Sequence, residues 1–261
     1  MDGLLINTED IITLSTNKLL AKYGRPGLTR SIRAQLMAVP ESTNGEVFHN
    51  WAKLPISREQ FAQESSEQMR LHFSHCQPLP GAEELVSNLS RARSACSGER
   101  IELALASTTK SHTYELKVSG PETNRLLGFF RPERRVLGDH PLLRKGRGKP
   151  APDIYLLALQ SLNSTVGPGE KPILPHECLA FEDSVVGVTA ARRAGMRAVW
   201  VPHPDMAAEY QSRQKEVLLT GTGITEVGDD WHPRLIDDGW TEPIPSLEHF
   251  DYKKYGIVVP S

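Results

Sequence analysis

With 261 residues, 39% hydrophobic and 24% charged, the chain has ample apolar material for one large domain, or for one domain carrying a small insertion. Thirty Lys and Arg against 32 Asp and Glu leave a formal net charge of −2, which favours neither nucleic acid nor an anionic membrane as a partner. Cys76, Cys96 and Cys178 are scattered without CxxC spacing, and no apolar run approaches the roughly 20 residues of a membrane helix, so the cysteines read as reduced thiols in a water-soluble setting.

In chain order, Met1 to Thr8 reads as a short loop-like opening. Its Asp2, with Glu9 and Asp10 just beyond, is unlike the basic start of a signal peptide, so the expected location is the cytoplasm, with the nucleus also possible. From about Glu9 the spacing of Ile12, Ser15, Leu19 and Tyr23 predicts a helix, stopped by Gly24 and Pro26. Leu28 to Met37 and Arg58 to Phe73 follow as helices, the second with Ser57 as N-cap and Gln60 three residues on. The segment 12–76 therefore reads as a small helical bundle and the first candidate for a separate subdomain.

After Pro80-Gly81 strand and helix alternate. Glu83 to Leu89 is a helix, Ile101 to Ala106 a short buried strand, and Arg135 to Leu137 another strand, ending at Gly138-Asp139. Asp153 to Leu162 is an amphipathic helix. Cys178 to Phe181 is a strand ending at Glu182-Asp183, and Val185 to Ala194 a helix closed by a left-handed Gly195. Ala198 to Val201 is the next strand. Two stretches, 163–176 and 221–245, read as inserted loops. The alternation predicts an α/β domain with a mainly parallel sheet, whose ligands bind beyond the carboxyl ends of the strands.

Three polar clusters sit at those ends. Ser107-Thr108 offers a hydroxyl and backbone N–H groups suited to phosphate oxygens, or else a plain helix cap. Lys149, between Gly148 and Pro150, is a placed cation or a solvated loop lysine. Glu182-Asp183 supplies hard oxygen ligands suited to magnesium, or else the acidic cap of the next helix. A hydroxyl, a lysine and an acidic pair, each at an element boundary, together describe one phosphate-plus-metal site. Asp139 and Asp153 read as structural acids, and His203 has no nameable partner.

These residues carry a resemblance to the haloacid dehalogenase superfamily. Met1-Asp2-Gly3-Leu4-Leu5-Ile6-Asn7-Thr8-Glu9 resembles its first motif without the leading aspartate. Leu103 to Lys110 resembles the second, Gly148 to Asp153 the third, and Phe181-Glu182-Asp183-Ser184 with Gly187 the fourth. The likeness runs nearly the full length and is nearest to the pseudouridine-5'-phosphatase-like branch, which also has features like Leu54-Pro55-Ile56-Ser57 and Val199-Trp200-Val201-Pro202-His203-Pro204.

The resemblance implies a Rossmann-like parallel-sheet core, residues 1–11 and 77–261, with a helical cap over 12–76. It implies a Mg2+-dependent phosphatase acting on a small phosphorylated metabolite through an aspartyl-phosphate, with no nucleic-acid, membrane or obligate protein partner. By that likeness Asp2 is the acid/base, Ser107, Thr108 and Lys149 hold phosphate, and Asp2 (by its carbonyl), Glu182 and Asp183 hold the metal. The nucleophile would stand two residues before Asp2, at the end of a central strand. Neither is among these residues, so the natural protein is expected to begin upstream of Met1. A β-phosphoglucomutase-like phosphotransferase and a catalytically dead binding or scaffold protein are the alternatives.

Overall fold

The computed structural model of the chain describes residues 1–38, 41–167, 171–209 and 239–260. The opening is a tight turn. Gly3 adopts φ +61°, and the Met1 carbonyl accepts from the N–H groups of Leu5 at 2.8 Å and Ile6 at 3.2 Å. Four helices follow: α1 (Thr8–Lys22), α2 (Arg30–Ala38), α3 (Glu41–Ala52) and α4 (Arg58–Phe73). α4 has the expected bounds, and its Ser57 cap accepts the Gln60 N–H at 3.1 Å from an extended backbone.

α3 is a correction, because no helix is predicted over 41–52. After Glu41 its first half, Ser-Thr-Asn-Gly, is built of weak helix formers, so propensity gives little signal. Packing supplies the stability instead. Phe48 and Ala52 are buried with Leu20, and the Phe48 and Phe61 rings approach to 4.8 Å.

Next come α5 (Ala82–Arg91), β1 (Arg93–Ser94), β2 (Leu105–Ala106), α6 (Ser111–Lys117), α7 (Pro121–Gly128), β3 (Arg135–Val136) and α8 (Asp153–Asn163). The chain continues through β4 (Leu179–Glu182), α9 (Val185–Arg193), β5 (Arg197–Trp200), α10 (Pro204–Glu209), β6 (Thr241–Pro243) and β7 (Ile257–Val258). Gly195 takes φ +77° just past α9, as expected of a left-handed stop. β6 is a second correction. Residues 239–245 of the expected loop include a strand whose three residues are too few to show a period, while 221–238 lie outside the described residues. Loop 163–176 is described apart from 168–170.

The α/β architecture is as expected. β2 and β3 pair in parallel, and β4, β5 and β6 pair in parallel, with Glu182 opposite Trp200. β1 and β7 form a small antiparallel pair. The strand predicted over 101–106 contracts to two residues, because β3 itself offers only two residues to pair with. No strand pairing joins β2 to β4 among the described residues, so the parallel sheet lies in two pieces. One core cluster packs Leu4, Leu5 and Ile6 with α5, Leu105 and Val199. A second packs α8 and α9 around Val136 and the fully buried Trp200. Among the described residues no helix is long and apolar enough to cross a membrane.

Candidate active site

The carboxyl ends of β2 and β4 face the opening turn, and there the predicted residues converge. Ser107 follows β2 directly and is buried. Its hydroxyl donates toward Asp2 Oδ2 at 3.4 Å, and the Thr109 hydroxyl donates to the same oxygen at 2.7 Å. The other oxygen, Oδ1, receives Lys117 Nζ at 2.5 Å. Lys117 ends α6 and is only 5% exposed. It also donates to Thr109 Oγ1 at 3.1 Å and lies 4.9 Å from the centre of the Phe73 ring. Burial pushes the Asp2 carboxyl up, but Lys117 and the buried Met1 amino group outweigh it and hold Asp2 down at about 2.

Lys149 ties the two half-sheets together. Its Nζ donates to Glu182 Oε1 at 2.6 Å, at the end of β4, and to the Ala106 carbonyl at 3.3 Å, at the end of β2. Glu182 is buried and also accepts the Tyr155 hydroxyl from α8. Gly187, in the first turn of α9, backs directly onto this carboxylate, and a Cβ there would collide with it. That is the physical need for glycine in the fourth motif. Ser184 caps α9 by accepting the Gly187 N–H at 3.1 Å.

Asp183 stands differently. Its carboxylate accepts no hydrogen bond among the described residues, while its backbone carbonyl accepts Trp200 Nε1 at 2.9 Å. A Cβ on Gly3 would lie 2.5 Å from Asp183 Oδ2, so the turn and β4 meet only because residue 3 is glycine. Burial, then the neighbouring Glu182 and Glu9, push the Asp183 carboxyl up to about 8. Burial and then Asp2 push Glu9 up to about 7. The Met1 amino group is buried within the field of Asp2, Glu182 and Asp183.

Thr108 is exposed, and its N–H donates to no described group; Gly138 packs on its carbonyl with no room for a Cβ. Asp139 accepts the Ser111 N–H at 3.0 Å and the Ser111 hydroxyl at 2.8 Å, an anchor for the start of α6. Asp153 is held in a two-point pair by Arg147 at 3.0 and 2.8 Å. Both therefore read as structural, as expected. His203, without an expected partner, lies 3.3 Å from Arg33 of α2.

Sequence reasoning missed Lys117, Thr109, Glu9 and Tyr155. Thr109 and Glu9 lie inside the quoted motifs and were readable there. Lys117 and Tyr155 had no local signal, since a lysine ending a short helix and a tyrosine on an amphipathic one read as ordinary surface and core.

Among the described residues no three His, Cys, Asp or Glu side chains are disposed as a complete metal cage. The donor chemistry still fits magnesium, which needs only one or two protein carboxylates with water. Asp183 presents hard oxygens without hydrogen-bond donors, in a group of carboxylates whose mutual repulsion raises its affinity for positive charge. Asp2 contributes differently, because its carboxylate is already engaged by Lys117 and only its backbone carbonyl is open.

Residues 1–201 match the family described as haloacid dehalogenase-like hydrolase. A Saccharomyces cerevisiae protein described as a probable pseudouridine-5'-phosphatase is 34% identical over 98% of this chain and 94% of its own. An Arabidopsis thaliana mitochondrial (DL)-glycerol-3-phosphatase is 30% identical over 84% of this chain and 68% of its own. Among solved structures, a family IA variant 3 hydrolase of Entamoeba histolytica superposes with a TM-score of 0.62. That match has 17% identity and covers 98% of this chain and 95% of the other.

Proposed function

Because this chain belongs to the haloacid dehalogenase-like hydrolases, in their pseudouridine-5'-phosphatase-like branch, we propose that it is a magnesium-dependent phosphatase for a small phosphomonoester such as a sugar, nucleotide or polyol phosphate. The observation that carries this reading is the bridge made by Lys149. It brings the ends of β2 and β4 together, so that Ser107, Lys149, Glu182 and Asp183 surround one point beside Asp2.

In this reading Ser107, the Thr108 N–H and Lys149 hold the phosphoryl oxygens and neutralise charge as it shifts. Magnesium, held by Asp183, Glu182 and the Asp2 carbonyl, supplies further charge neutralisation when bound. Asp2 rests ionised on Lys117, which suits it to take a proton from water; to protonate a leaving oxygen it must first part from that lysine and take up a proton of its own. By the likeness to the family, the nucleophile would be an aspartate two residues before Asp2. Residues 12–76 act as the cap that closes over substrate and excludes water.

The test is phosphate release from a panel of phosphomonoesters, with and without magnesium. It compares the protein translated with its upstream in-frame codons against residues 1–261. Turnover by the longer protein, abolished by Asp2→Asn, is expected. Its failure on every ester would overturn the reading. A binding protein without turnover is the second reading, which the same placement of Ser107 and Lys149 would serve. Saturable phosphosugar binding by stable residues 1–261, with no activity in either form, would establish it.

A further inference from the structure

We infer that Tyr155 is a positioning residue, which aims the Lys149 ammonium at the phosphoryl group by sharing Glu182 Oε1 with it. The inference deepens the phosphatase reading and rests on its assignment of Lys149 to the phosphate.

Lys149 lies in the turn that leads into α8, and Tyr155 in the first turn of that helix. Both side chains reach the same atom. Lys149 Nζ donates to Glu182 Oε1 at 2.6 Å, and the Tyr155 hydroxyl donates to that oxygen as well. The other oxygen, Oε2, lies against Gly187 and receives no hydrogen bond among the described residues. Tyr155 also meets the lysine directly, its ring centre 5.3 Å from Nζ. Tyr155 and Glu182 are both buried, so water competes little for either contact. Ile154, Leu157 and Ala158 pack the same helix into the core, which delivers the hydroxyl from a rigid element rather than a loop.

A lysine ammonium carries three N–H donors and no acceptor. Two are engaged, by Glu182 and by the Ala106 carbonyl, which leaves the third for a substrate oxygen. The direction of that third donor is set by what fills the other sides: a carboxylate, a carbonyl and the face of a phenol ring. Left alone with an ammonium, a buried carboxylate takes up as many of its donors as geometry allows. The Tyr155 hydroxyl satisfies part of Oε1 and so limits that pull. Without it, Glu182 would turn both oxygens toward Lys149 and draw the third donor away from the phosphate.

The experiment is a calorimetric titration of residues 1–261 with inorganic phosphate in a buffer containing magnesium. Tyr155→Phe keeps the ring and removes only the hydroxyl. It should weaken phosphate binding about tenfold while the circular dichroism spectrum stays that of the parent. Leu159→Val, one turn further along α8 and buried to the same degree, controls for a merely structural role. It should lower the denaturation midpoint and leave the phosphate affinity unchanged. Equal affinity in Tyr155→Phe and the parent, or an equal loss in Leu159→Val, overturns the inference and leaves the phosphatase reading standing. No phosphate binding by the parent, or binding undiminished in Lys149→Met, overturns both.

Discussion

Lys117 Nζ lies 2.5 Å from Oδ1 of Asp2, joining the end of α6 to the opening turn across 115 positions of sequence. With Lys117 almost fully buried, the pair is shielded from water on one side, and the Thr109 hydroxyl satisfies the other Asp2 oxygen. Removing one partner of such a pair leaves a charge without compensation.

Lys117→Met should therefore destabilise the fold by about 3 kcal/mol, read by urea denaturation at pH 7. Adding Asp2→Asn to it should recover part of that loss. The sign of the pH effect follows from Asp2. Its folded value of about 2 lies below the ordinary carboxylate value, so its contribution is present above pH ~4 and is lost as pH falls toward 2. A Lys117→Met protein as stable as the parent would count against the pair.

Asp183 works in the opposite direction. Its carboxyl is raised to about 8, so the folded state keeps a proton that the unfolded chain releases near pH 4. Stability from this group is lost as pH rises from about 4 to 8. Asp183→Asn should match the parent at pH 4 and exceed it at pH 8, on the order of 2 kcal/mol after discounting for coupling to Glu182 and Glu9. Magnesium should raise the parent's denaturation midpoint more at pH 8 than at pH 5, and leave Asp183→Asn unmoved. Equal magnesium responses in the two proteins would refute the assignment of Asp183 as a ligand.

Gly187 has no space for a side chain because Glu182 lies against it. Gly187→Ala should push the carboxylate away from Lys149 and Tyr155. In a form of the protein that turns over phosphomonoesters the expected result is a fall in kcat of at least about tenfold. Alanine at the exposed Gly128, which has open space and no positive φ, should have a much smaller effect on kcat, and similar losses at both positions would show that the collision is not the cause.

Arg33 joins the helical segment to the core. It pairs with Asp205 of α10 at 2.6 Å and reaches Asp10 at 3.3 Å, while Arg30 reaches the other Asp205 oxygen at 3.0 Å. Both Arg33 and Asp205 are mostly shielded. A double-mutant cycle with Arg33→Ala and Asp205→Ala should give a coupling of about 1–2 kcal/mol, and amide exchange in α2 should quicken in either single variant. A coupling near zero would reduce the contact to an incidental surface pair.

The clearest lesson about legibility comes from α4 and α3. The bounds and cap of α4 follow from local signals, Ser57 and the spacing behind it. α3 depends on Phe48 meeting Leu20 and Phe61, contacts that its own residues do not announce. β6 is similar: three residues ending in proline become a strand only because β5 offers them an edge.

The residue types at the strand ends were determined by sequence alone. Ser107, Lys149, Glu182 and Asp183 each sit at a boundary where apolar periodicity stops, and the alternation of elements requires those boundaries to share one rim of a parallel sheet. Tertiary structure decided what each group faces. It placed Lys117 on Asp2, Lys149 on Glu182, and Asp183 without a hydrogen-bond donor. The physical reason is range. Backbone preference and periodicity act over a few neighbouring residues, whereas charge pairing and desolvation depend on distances in space, which only the packed chain sets.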